Sequence, residues 1–269
     1  MTGILAQIIT ITSFGNEYLK NGKLTDFYPQ NTTFQHCDFV DFREMGKKNI
    51  FSSKKEVVIS KNPTEWFKYL KSKNCIKLRL FYQTVKEDDH KTAGFVGGGG
   101  NWFIETIYLK HSDFWIGRWN HDKNLTEKPW QVTYGKAIEN RPIINQQFDI
   151  TQTRENLKAC LEKITEFAYQ ETSENWGKTF ETAKNTLENK NPESDFYHND
   201  LISWNNYDLK NRQLLMSASK AFVFGGMGSW NDMGFENKEI DEKYNRLSTE
   251  LYSITMESIT CAINKDKME

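Results

Sequence analysis

The apolar residues of this chain change their period near residue 151, and that change restricts the folds open to it. After it, they recur every three to four positions. Leu157, Leu161, Ile164 and Ala168 form one stripe, and Trp176, Phe180, Ala183 and Leu187 form another. "NYDLKNRQLLMSASKAFVF" fits a third helix. In "NKEIDEKYNRLSTELYSITMESITCAIN", Ile240, Tyr244, Leu247, Leu251 and Ile254 alternate steps of four and three. Such spacing puts one side of a helix against a core. The stripe predicts a last helix from about Lys238 to about Asn264.

Before residue 151 the pattern is that of strands. "CIKLRLFYQT" puts Ile76, Leu78 and Leu80 on one side and Lys77, Arg79 and Phe81 on the other, as in a half-buried strand. "SDFWIGRWN" and "PWQVTYGKAI" predict neighbours in an antiparallel meander, with "HDKNLTEK" as the turn. "ILAQIITITS", residues 4–13, is β-branched and nearly continuous, and reads as a central strand. "NPTEWFKYLKSKN" predicts one short helix, with Asn62 as cap, Pro63 in the first turn and Trp66, Phe67 and Leu70 buried. Strands followed by helices predict an α+β fold. Residues 1–150 form a β-rich, mainly antiparallel part and 151–269 a helical part packed against it. No Pro/Ser-rich linker separates them, so one compact body is expected.

Charge and cysteines exclude several classes. A net charge of −1 gives no global attraction to phosphate, which argues against a nucleic-acid binder. Cys37, Cys75, Cys160 and Cys261 stand far apart, with no CxxC. The first residues lack a basic region and a small-residue cleavage site, and no run approaches the roughly 18 apolar residues of a membrane span. The expected location is the cytoplasm, with no membrane partner.

No motif marks a catalytic centre. GxSxG, HExxH and GxxxxGK[ST] do not occur. His111 and Asp113 could share a strand face, but nothing supplies a third ligand. No catalytic residue, metal or cofactor is therefore expected, and enzymatic activity is left open. "AGFVGGGGNWF" has five glycines in positions 94–100 and reads as a hairpin tip. "FGGMGSWND" offers Gly225, Gly226, Gly228, Ser229, Trp230, Asn231 and Asp232 as either a helix–helix connector or a ligand loop whose N–H groups at 226–229 cradle an anion.

Aromatic residues make up 14% of the chain. In "DFWIGRWN", Phe114, Ile116 and Arg118 alternate with Trp115, Gly117 and Trp119, and Trp130 and Tyr134 sit on the next segment. Tryptophan and tyrosine are favoured interface anchors. Trp115, Arg118, Trp119, Trp130 and Tyr134 are thus candidate contacts to a protein partner. "IITITSFGNEYL", "WFIE…SDFWIGRWN…PWQVTYG" and "FVFGGMGSWNDM…LYSITMESITCAIN" together resemble uncharacterised bacterial proteins of the polymorphic-toxin immunity type. That resemblance implies a non-enzymatic protector that binds and blocks a toxin domain. The alternative is an enzyme or small-ligand binder with its site at the sheet–helix junction near Gly225–Asp232.

Overall fold

A computed structural model describes residues 1–46, 55–86, 88–95 and 97–265. Glu87 and Val96, in the stretch that includes the first glycine segment, lie outside the described residues. The fold is α+β, as the change of period predicts.

The first element departs from expectation. Residues Gly3–Asn21 form a helix, α1, not a strand. Thr2 caps it, accepting from Leu5 N, and Gly22 ends it in the left-handed conformation (φ 75°). Leu5 through Ser13 are all buried. A helix wrapped on every side needs no polar face, so its sequence shows no helical period. Its polar groups are used up inside the protein. Thr12 donates to Ile8 O within the helix (2.8 Å), Thr10 donates to Leu201 O (2.8 Å), and Ser13 Oγ accepts from Ser203 N (3.0 Å).

The sheet has six strands in the order β2-β1-β6-β5-β4-β3. They are β1 (Cys37–Met45), β2 (Glu56–Ser60), β3 (Lys77–Gln83), β4 (Asn101–Ile107), β5 (Ser112–His121) and β6 (Trp130–Arg141). Among the described strands, β1 and β6 pair in parallel and the other pairs are antiparallel. Helix α2 (Pro63–Ser72) begins at the Asn62 cap and buries Trp66, Phe67 and Leu70. A single turn, α3 (Asp89–Thr92), leads into the first glycine segment.

Helices α1 and α2 cover one face of the sheet. Phe42, Trp66, Trp115 and Tyr134 meet there, with Phe42 stacked on Trp66 at 4.2 Å and Trp66 edge-on to Trp115 at 5.2 Å. The opposite face is half polar. It carries the Arg43–Asp41 and Arg118–Glu56 pairs, each 2.7 Å, and Phe81 against Phe114 at 5.3 Å. Arg79 was expected on a solvated face, but it is buried. It pairs with Glu105 at 2.8 Å and donates to Ile144 O in the irregular stretch after β6.

The second half is a ring of four helices: α4 (Ile150–Glu171), α5 (Glu174–Thr186), α6 (Leu209–Ala221) and α7 (Lys238–Asn264), each packed on the next and α7 back on α4. The last helix spans the range its stripe predicts. Two asparagines tie helices to the sheet. Asn16 of α1 accepts from Leu78 N (2.7 Å) and donates to Leu78 O (2.9 Å). Asn264 of α7 does the same to Leu80, both at 2.8 Å. β3 is an edge strand, and these side-chain amides occupy the ladder positions another strand would take. No described helix is long and apolar enough to cross a membrane.

Candidate functional site

A cavity of about 510 Å³ opens where α1 meets the sheet. The first turn of α1 and Ile8 form one wall, and the ends of β5 and β6 another. The antiparallel register sets Trp119 opposite Val132 and His121 opposite Trp130. Trp119 meets Trp130 edge-on at 5.8 Å, and both rings are half-buried. Phe222 and Tyr252 close the far side, bringing the helical half into the site.

The rim is the first glycine segment. It folds back on α3: Gly99 N donates to Thr92 Oγ1 at 3.1 Å, and Gly98 N to Phe95 O at 3.0 Å. Gly99 has φ +77°, and a Cβ there would fall 2.8 Å from Tyr252 Oη. Glycine is therefore required twice, by conformation and by space. Gly99 O accepts from Tyr252 (2.6 Å) and Tyr82 (3.3 Å). Burial raises the pKa of both phenols, so they stay protonated as donors. The Asp89 carboxylate holds the chain before α3, accepting from Val85 N at 2.8 Å and Lys86 N at 3.1 Å.

The five aromatic-strand candidates separate. Trp119 and Trp130 face the cavity. Trp115 is 0% exposed and Tyr134 1%, which rules out Trp115 as a surface anchor and leaves Tyr134 only as part of the cavity floor. The cause is the strand alternation: it turns both toward α1 and α2, where Tyr134 donates to Gln7 Oε1 at 3.2 Å. Arg118 alternates to the opposite face, where Glu56 takes its guanidinium. Its backbone reaches the cavity, but its charge does not.

The second glycine segment joins α6 to α7. Trp230 is fully buried. It packs on Phe167, Phe180 and Tyr244 and donates from Nε1 to Ser248 Oγ at 2.7 Å. Ser229 Oγ accepts from Gly225 N (3.2 Å), and the Asp232 carboxylate accepts from Gly228 N. Of the N–H groups at 226–229, Gly228 N is thus taken by Asp232 and Ser229 N by Gly226 O (3.1 Å). Asn231 donates to His90 O at 2.9 Å. Gly225 and Gly226 do not cap α6, which ends at Ala221 with Phe222 as cap residue. It is Gly94 that gives room to Gly225: a Cβ at Gly94 would fall 2.0 Å from the Gly225 carbonyl carbon. The two glycine segments touch there, and only the first opens on the cavity.

Elsewhere, His111 Nε2 lies 4.0 Å from Asp113, whose carboxylate already accepts from Lys136 (3.2 Å) and Asn140 N (2.9 Å). Among the described residues, no group of three or more His, Cys, Asp or Glu side chains is placed to hold a metal.

The positive end of α1 points into the cavity, which is worth ~0.3–1 kcal/mol to an anion near a surface. An unpaired carboxylate taken from water into an apolar site loses several kcal/mol. The second effect is the larger. The sequence reading missed the first glycine segment, the first turn of α1, Phe222 and Tyr252. The signal available was "GGGGNW" leading straight into a Trp-bearing strand.

No family model, curated protein or solved structure matches the chain.

Proposed function

We propose that the chain is a binding protein for a small molecule, held in the cavity between the first turn of α1, the glycine segment at 94–100 and Trp119 and Trp130. One observation carries this reading: a ring-lined, half-open cavity of about 510 Å³ where sheet, α1 and helical half converge. That size and apolar character suit a small-ligand site. The four buried free thiols fit a reducing compartment, and we take that compartment to be the cytoplasm.

The test is native mass spectrometry of protein purified gently from its own host. A bound mass is expected in the wild type and not in Ile4→Trp, whose indole would fill the cavity from the first turn of α1. An unchanged adduct in Ile4→Trp would move the site elsewhere, and an empty wild type would remove the reading's support.

A second reading keeps a protein partner of the toxin-domain kind. Phe95 favours it, being 64% exposed at the mouth beside the half-buried Trp119 and Trp130. A pull-down from the host with wild-type, Phe95→Ala and Ile4→Trp proteins separates the two. A protein lost with Phe95→Ala and kept with Ile4→Trp would favour the partner.

A further inference from the structure

The lining of the cavity narrows its guest. Among the described lining residues no Asp, Glu, Lys or His occurs, and Arg118 alone carries a charge. That charge lies across the sheet, 2.7 Å from Glu56. The walls are rings, aliphatic groups and glycine backbone, with Trp102, Trp119, Trp130 and Phe222 among the rings. Asn101 and the Nε1 of Trp119, unpartnered among the described residues, add neutral polar atoms. Three polar side chains of the lining are already engaged. Thr2 Oγ1 accepts from Leu5 N, Tyr134 donates to Gln7, and Tyr252 donates to Gly99 O.

An ion of either sign would leave water for a space without a counter-charge. A cation would gain something from the rings, but α1 presents its positive end to the same space. An anion would meet that end favourably and find no cationic side chain to complete its shell. A flat uncharged guest loses little on leaving water and stacks on the rings.

We propose that the cavity takes an uncharged, flat aromatic molecule of about two to three fused rings. This rests on the small-molecule reading above. Isothermal titration at about pH 7.5 with 2-naphthol, 2-naphthoate and 2-naphthylmethylammonium compares one ring system in three charge states. 2-Naphthol is expected to bind at least about tenfold more tightly than either ion. Ile4→Trp should abolish that binding, and Trp119→Ala, which removes a wall instead of filling the space, should weaken it by a similar factor. Either ion binding as tightly as 2-naphthol would overturn the charge assignment and leave the cavity as a site. Binding by none of the three, or undiminished binding by both variants, would overturn the charge assignment and the small-molecule reading together.

Discussion

The two glycine-rich segments look alike in sequence and do different work. Residues 225–232 carry the richer polar set, with Ser229, Asn231 and Asp232 beside a tryptophan. Yet those polar groups bond back to their own loop and its neighbours, and Trp230 goes into the helical core. Residues 94–100 carry almost no side-chain chemistry, and the described ones border the cavity. Short polar side chains near glycine satisfy backbone groups in a tight turn. A segment that offers little but backbone leaves space for something else.

The sharpest way to break this contrast is to exchange the roles of two tryptophans. Trp230→Ala should cost ~3–5 kcal/mol in a denaturant titration, because a fully buried ring is lost from among Phe167, Phe180 and Tyr244. Trp119→Ala should cost clearly less stability and act mainly on ligand affinity. Equal losses of stability would erase the distinction.

Glycine substitutions test the contact between the segments. Gly94→Ala puts a Cβ 2.0 Å from Gly225 backbone and should destabilise by ~1–3 kcal/mol. Gly226→Ala meets nothing within 4 Å and should stay within about 0.5 kcal/mol. A harmless Gly94→Ala would show that the segments do not touch.

Acid should loosen the same junction. His90 leads into the first segment and is bonded through its carbonyl to Asn231 of the second. Burial lowers its pKa, and His198 shifts the same way. A base whose folded pKa is depressed adds stability above its unfolded value, near 6.5, and loses it as pH falls through the folded one. Unfolding midpoints should therefore drop below about pH 6.5, and His90→Gln should flatten part of that limb. At the alkaline end, burial pushes Cys37 up to about 11 and Cys160 up to about 12. Unfolded thiols ionise first, so midpoints should fall again above about pH 9. A flat profile at either end would contradict that burial.

The smallest effect belongs to Arg118→Ala. Among the described residues its guanidinium bonds Glu56, on the exposed face. Stability should change by ~0–1 kcal/mol, and ligand binding should not change. A lost ligand would bring Arg118 into the site after all.

What the sequence reveals follows the same physics. Helix α7 has a wet side over much of its length, so its stripe names both its ends and, among its buried residues, Tyr244, Leu247 and Leu251, while Ile240 and Ile254 are half-buried. Helix α1 has no wet side, and its run of Ile and Thr imitates a buried strand; only its length of 19 residues points to a helix. On β5 the alternation separates Arg118 from Trp119, but not which face the helices cover. The cavity itself assembles elements from both ends of the chain, from Thr2 to Tyr252, and no local pattern reports such a meeting.

The eight tryptophans provide the most direct test, because each indole N–H gives its own signal in a nitrogen–proton correlation spectrum. Adding 2-naphthol should move the signals of Trp102, Trp119 and Trp130, which line the cavity, and leave that of Trp230 in place. Movement of Trp230, with Trp119 and Trp130 stationary, would return the site to the second glycine segment and contradict the account.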